Sequence, residues 1–293
     1  MTAAPARRRT LVLGGASAIG RFLLPLLDPA GIDAVALTRD PARTGAPWRH
    51  WSGDRLDSAL APDEHLDVAL HVAPLTILPA LVPDLARHGV RRLIAFGTTS
   101  RYYKTASGDA HERDFIRGFV DAETAVAAAC ESHGIAWTLF RPTLVYGGGT
   151  DANVALVARV VRRLGFFPLV AGGRGLRQPV HAADLARACL QALDAPATLG
   201  RAYDLSGGST LTYRAMVEAI CVATGRAPRT IDVPLPLFRF AIRLARLLPA
   251  FRKISPEAAL RQGMDLCFDH AAATRDFGYA PRAFTVDATA LPR

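Results

Sequence analysis

The run Leu11-Val12-Leu13-Gly14-Gly15-Ala16-Ser17-Ala18-Ile19-Gly20 is where residue type and spacing first suggest chemistry. A short apolar stretch ends in two glycines, and a helical pattern opens at Ala18. Gly14 permits a tight turn, and the small side chains of Ala16 and Ser17 let backbone approach a pyrophosphate. Backbone N–H groups of Ser17, Ala18 and Ile19 would meet phosphate oxygens at a helix N-terminus, while Gly20 lets the helix pack closely on the strand. Any tight strand-to-helix turn would use similar residues. The strand before and the helix after favour a dinucleotide site.

The next strand ends Val35-Ala36-Leu37-Thr38-Arg39-Asp40. A carboxylate at such a position holds a ribose 2′-hydroxyl, whereas a guanidinium pairs with a 2′-phosphate. Arg39 therefore predicts NADP(H) in preference to NAD(H), and Asp40 is the residue that argues the other way. Asp54 follows Gly53, where it would accept from an adenine amino group or cap the next helix. Asp151 and Asn153 follow the glycines Gly147–Gly149, either lining a pocket or, for Asp151, capping a helix.

These turns need a scaffold. Strand patterns fall at Thr10–Leu13, Ala34–Leu37, Trp48–Trp51, Val68–Val72, Arg92–Phe96 and Ala136–Phe140. Helical patterns fall between them at Ala18–Leu27, Leu75–His88 and His111–His133. The alternation predicts parallel strand–helix–strand units in a doubly wound α/β sheet. After Gly147 the pattern changes to helices at Asn153–Leu164, Ala182–Leu193 and Tyr213–Thr224, with a short strand at Ala202–Leu205. We expect a dinucleotide-binding domain over 1–150. Residues 151–293 are expected to form mainly a smaller substrate lobe, packed on it as one unit.

Composition bounds the function. The chain has 293 residues, 50% hydrophobic and 21% charged, which excludes disorder and low complexity. Its four cysteines are scattered, so no metal site or disulfide framework is expected and a reducing, cytoplasmic setting fits. No stretch reaches the ~20 apolar residues of a membrane span. The net charge of +9 raises nucleic acid or anionic membrane as partners. The arginines are spread along the chain without an RNA-binding signature, so nucleic acid is not expected. In Leu235–Phe251, apolar residues alternate with Arg239, Arg243 and Arg246, which share a helical face. That segment is read as a core-facing helix with a solvated arginine stripe. Peripheral membrane contact, or cover for a lipid-linked substrate, is the other reading.

Several motifs together resemble the extended short-chain dehydrogenase/reductase family, which includes nucleotide-sugar epimerases and dehydratases. The glycine turn resembles its GxxGxxG, with Ser17 for the middle glycine. His71-Val72-Ala73-Pro74 resembles the turn that lies along the cofactor. Phe96-Gly97-Thr98-Thr99-Ser100-Arg101-Tyr102-Tyr103 resembles the fifth-strand motif. Leu139-Phe140-Arg141-Pro142-Thr143-Leu144-Val145-Tyr146-Gly147 is similar to LRPxxVYG. Gln178-Pro179-Val180-His181-Ala182-Ala183-Asp184-Leu185-Ala186 and Tyr203-Asp204-Leu205-Ser206-Gly207-Gly208 resemble later family segments, and all fall in family order.

The resemblance implies a Rossmann-type sheet with a small C-terminal substrate lobe. It implies a nicotinamide cofactor along Val72, Ala73, Pro74, Thr98, Pro142 and Val145. A nucleotide-sugar or similar small molecule would lie near Tyr146, Asn153, Arg177 and His181. An arginine such as Arg174 or Arg177 would grip a diphosphate there, surface solvation being the other reading. His181 could equally be a hydrogen-bonded structural histidine. Relatives often pair through the long helix, so a homodimer is in view.

One departure matters. The family's Tyr-x-x-x-Lys pair falls, in the register the resemblance gives, on Phe115 and Phe119, with the family's following Glu at Glu123. Neither phenylalanine moves a proton. Two readings follow. Thr99, Tyr103 and Lys104 form a non-standard catalytic set, in which Thr99 polarises the substrate oxygen and Tyr103 donates a proton. Alternatively, the chain holds NADP(H) without turnover, as a sensor or scaffold.

Overall fold

The computed structural model describes residues 7–53, 55–149, 151, 153–245, 257–287 and 290–292. Its first strands and helices are β1 (Arg8–Leu13), α1 (Ala18–Leu27), β2 (Ile32–Thr38), β3 (Trp48–His50), β4 (Val68–His71), α2 (Leu78–Arg87) and β5 (Arg92–Phe96). There follow α3 (Ala110–Ser132), β6 (Ala136–Pro142), β7 (Val145–Tyr146), α4 (Val154–Leu164), β8 (Phe167–Leu169), β9 (Leu176–Arg177), β10 (Val180–His181) and α5 (Ala182–Leu193). The rest are β11 (Arg201–Leu205), β12 (Leu211–Thr212), α6 (Tyr213–Ala223), β13 (Thr230–Asp232), α7 (Leu235–Ala245), α8 (Glu257–Arg261) and α9 (Ala271–Phe277). Among the described residues no helix is long and apolar enough to cross a membrane.

Seven strands form one sheet in the order β11-β6-β5-β4-β1-β2-β3, and each neighbouring pair is parallel. A parallel sheet is covered on both faces, so its central strands must be apolar throughout rather than alternating. β4 and β5 are buried at every residue, with a polar side chain only at one end of each, His71 and Arg92. On one face, Ile19, Leu23 and Leu27 of α1 join residues of α5 and α9 in a core with Val12, Leu70 and Ile94. On the other, α2 and α3 cover Leu11, Leu13, Ala69 and Leu93. The expected doubly wound α/β architecture is thus present.

The chain crosses back after residue 150. β11 pairs with β6 as the sheet's last strand, and α5 packs beside α1. The smaller lobe is built from α4, α6 and short two-strand ladders around Val157, Val161, Leu169, Met216 and Ile220. Those ladders, β7 with β10, β9 with β12 and β8 with β13, are too short for any sequence periodicity to reveal. The helix expected over Leu75–His88 divides into a 3₁₀ turn at Leu75–Ile77 and α2. Pro79 stands in the first turn of α2, where its missing N–H costs nothing.

His71 closes β4 with its side chain fully buried, and its Nε2–H donates to the Pro74 carbonyl at 3.1 Å. Nδ1 is buried without a partner, and burial pushes the imidazole down to about 4. The unfolded chain takes up this proton near 6.5, whereas the folded chain resists until about 4. Neutral His71 therefore stabilises the fold fully above pH 6.5, and that contribution is lost as pH falls toward 4. It amounts to about 3 kcal/mol. Urea unfolding at neutral pH and at about pH 5 should show a smaller acid-induced loss in His71→Asn than in the parent chain.

Candidate functional site

The site begins at Gly14, whose φ of +89° is favoured only for glycine. A Cβ there would stand 2.6 Å from the Ala73 amide nitrogen and 2.7 Å from the Val72 carbonyl carbon. The turn after β1 is therefore pressed onto the turn after β4. β1 lies between β4 and β2, the point where strand order reverses and a crevice opens at the carboxyl ends. A Cβ on Gly20 would lie 2.5 Å from the Gly15 carbonyl oxygen, so α1 packs directly on the turn.

Ser17 caps α1: its Oγ accepts from Gly20 N at 3.1 Å. Ser17 N donates to Gly14 O at 2.8 Å, and the helical ladder begins with Arg21 N to Ser17 O at 3.0 Å. This leaves the first-turn N–H groups of Ala18 and Ile19 outside the ladder, at the positive end of the helix. Ala16 is exposed beside them. A cradle that admits no Cβ, with free donors at a helix N-terminus, fits a dinucleotide pyrophosphate.

Beyond β2, Arg39 and Asp40 are exposed. Asp40 Oδ1 accepts from Ala42 N at 3.0 Å, and its Oδ2 lies 3.4 Å from Arg43 Nε. Arg43 stacks its guanidinium 4.9 Å from the Trp48 ring centroid. Trp48 in turn borders the glycine turn, 3.1 Å from where a Cβ on Gly15 would stand. Asp40 is thus engaged by its own loop, and two arginines flank the end of β2. Asp54 lies outside the described residues.

A cleft of about 430 Å³ opens at the carboxyl edge beside β5, β6 and β7. Of the residues singled out by sequence, it brings together Thr98, Thr99, Tyr103, Lys104, Val145, Asn153 and Arg177. Ser100, Thr143, Gln178, Tyr213, Arg261 and Phe268 also line it, and the sequence pointed to none of them as site residues. Lys104, Arg177 and Arg261 are its cations, and no carboxylate is among its lining side chains.

The hydroxyls divide their work. Thr99 is buried and donates to the Pro142 carbonyl at 3.0 Å. Ser100 Oγ and Tyr103 Oη stand 3.0 Å apart. Behind them, Glu112 accepts from Ser107 Oγ at 2.7 Å, with Lys104 Nζ at 3.1 Å and Arg261 Nη1 at 2.8 Å. Burial alone would raise the Glu112 carboxyl, but that hydroxyl and the two cations hold it below its ordinary value. Lys104 is therefore paired with Glu112 rather than with Tyr103.

Two residues expected at the substrate, Tyr146 and His181, occupy other places. Tyr146 is wholly buried in the lobe core, edge-on to His181 and Phe284 at 5.0 Å each. His181 Nδ1 accepts from Ala183 N at 3.1 Å and caps α5, and burial lowers its pKa. Arg177 lines the cleft, but its guanidinium donates to the carbonyls of Leu176 and Met264 at 2.7 Å each, and to that of Arg261. It also stacks 5.3 Å from the Tyr213 ring. Among the described residues no carboxylate pairs with it, and burial lowers its pKa. Arg174 is exposed. Asp151 accepts from Asn153 N at 2.9 Å and Ala155 N at 3.1 Å, which is the capping role.

On α3, Phe115 is 58% exposed, its ring 5.1 Å from that of Phe119, and neither lines the cleft. Glu123 is buried against Gly97 and pairs with Arg101 and Arg141, the latter at 2.8 Å. Arg141 also donates to Tyr102 Oη at 3.1 Å. Burial alone would lower the Arg141 pKa, but Glu123 raises it.

Comparison with known proteins agrees with this geometry. Residues 73–206 match the NAD dependent epimerase/dehydratase family, so the resemblance seen in the motifs is borne out. The chain is 27% identical to an NAD(P)H azoreductase of Xenophilus azovorans over 234 residues, 77% of each protein. It is 28% identical to a 2-alkyl-3-oxoalkanoate reductase of Stenotrophomonas maltophilia, covering 90% of this chain and 82% of that one. It spans only 42% of the length of a Sinorhizobium fredii protein to which it is 27% identical. The fold matches the UDP-glucose 4-epimerase of Thermotoga maritima with a TM-score of 0.68, at 16% identity over 94% of each chain.

Glu123 ties α3 to β6 and to the turn that carries Ser100 and Tyr103. Glu123→Gln removes the charge between two partly buried arginines. Urea unfolding should show a loss of about 3 kcal/mol, with little change for Glu131→Gln on the exposed end of the same helix.

Proposed function

We propose that this protein is an NADP(H)-dependent reductase of a carbonyl compound that carries an anionic group and an apolar portion. The cleft carries this reading. Its lining side chains include no carboxylate: Lys104 and Arg261 share Glu112 behind the wall, Arg177 meets backbone carbonyls, and Leu156, Val157, Met216 and Leu266 form an apolar wall. A carboxylate or a nucleotide-sugar diphosphate would both meet the charge. The apolar wall favours the simpler acid, and the name of the Stenotrophomonas relative supports that choice. Arg39 and Arg43 are the residues that would receive a 2′-phosphate, since Asp40 is held by its own loop.

The bound cofactor supplies the hydride. Tyr103 gives its hydroxyl proton to the carbonyl oxygen as charge develops there, and a proton from solvent, relayed through Ser100 3.0 Å away, restores the tyrosine. Thr99 commits its hydroxyl to a hydrogen bond with the Pro142 carbonyl and so positions the wall. Lys104 and Arg177 hold the substrate anion, and Glu112 fixes Lys104 in place. A second reading, cofactor binding without turnover, is supported by the phenylalanines at 115 and 119.

NADPH oxidation followed by absorbance across a panel of 3-oxo acids and nucleotide sugars tests the proposal. Tyr103→Phe should lower kcat about 10²–10³-fold with little change in KM, and Ser100→Ala should lower it less. Cofactor binding with no oxidation by the parent chain across the panel would leave the silent reading.

A further inference from the structure

α7 has three sides. Phe238 and Ile242, four residues apart, pack with Val170, Val233, Leu235 and Ala259 in a small core cluster. Leu237 and Phe240, three apart, lie on a different side and are 57% and 65% exposed. The same stretch of sequence carries Arg239 and Arg243. The helix therefore carries an apolar face beyond the one its own core uses.

Exposed large hydrophobics are concentrated here. Ile231, Leu237, Phe240, Leu260 and Met264 are half of the ten such residues among those described, within a short stretch of chain. α7 packs on α8, which supplies Arg261 to the cleft wall, so this surface belongs to the substrate lobe. Charge identifies the occupant. From 233 to 256 the sequence carries Arg239, Arg243, Arg246, Arg252 and Lys253 and no acidic residue. A water-soluble apolar partner would not call for that run of cations. An anionic lipid surface matches both features, with apolar side chains entering the acyl boundary and guanidinium groups meeting phosphate.

We propose that α7 docks this protein on anionic lipid membranes through Leu237 and Phe240, with Arg239 and Arg243 at the headgroups. The proposal is independent of the catalytic reading, because its test needs neither cofactor nor substrate. The full chain is sedimented with vesicles of phosphatidylcholine alone and of phosphatidylcholine mixed with phosphatidylglycerol. Binding should favour the anionic vesicles about tenfold or more and weaken at high salt. Leu237→Ser with Phe240→Ser, both exposed, should abolish binding while leaving the thermal unfolding midpoint unchanged. Arg239→Gln with Arg243→Gln should reduce it about tenfold. Equal binding to both vesicle types, or binding that survives the serine pair, would overturn the proposal. Light scattering that shows a lipid-free dimer dissociated by the serine pair would also overturn it, by assigning the face to a second copy.

Discussion

The close approach of two backbone turns sets the rest of the molecule. Gly14 presses on Val72 and Ala73 because neither a Cβ nor a right-handed φ is required there. That contact holds the ends of β1 and β4 together at the reversal of strand order. It leaves the N-terminus of α1 open, with Ser17 spent on the cap and Ala18 and Ile19 still able to donate. A larger residue at 14 would separate the turns and close the crevice at once. The site is therefore a property of backbone packing before any side chain takes part.

α3 frames the cleft without lining it. Glu112 and Glu123 stand about three turns apart, on the same side of the helix. Each carboxylate holds two cations: Lys104 and Arg261 for the first, Arg101 and Arg141 for the second. Together they tie the 3₁₀ turn at Thr99–Tyr102 to the sheet and to the small lobe. This helix holds a charge frame, and Phe115 and Phe119 lie off the cleft. Arg177 follows a similar logic. Its donors meet backbone carbonyls, so its charge stays unneutralised in the cleft wall.

Much of this was legible in sequence where the cause is local. The glycine turn and the largely apolar β4 and β5 declare themselves through residues that are near neighbours in the chain. What was not legible depends on distant partners. Arg177 finds its carbonyls at Arg261 and Met264, 84 and 87 residues onward, and no local pattern announces that. Tyr146 sits within the stretch that resembles LRPxxVYG, yet Phe284 and Thr285 from far along the chain enclose it. Lys104 looked like a partner for Tyr103 because they are adjacent. Glu112, a helical turn into α3, takes it instead.

The central claim is that a phosphorylated dinucleotide seats on the Gly14–Gly20 turn with Arg39 and Arg43 at its 2′-phosphate. Calorimetric titration of the full chain with NADPH and with NADH tests it most directly. The account predicts one NADPH per chain, bound about tenfold or more tighter than NADH, with the difference lost in Arg39→Ser. No binding of either dinucleotide, or equal affinity for both, would contradict it.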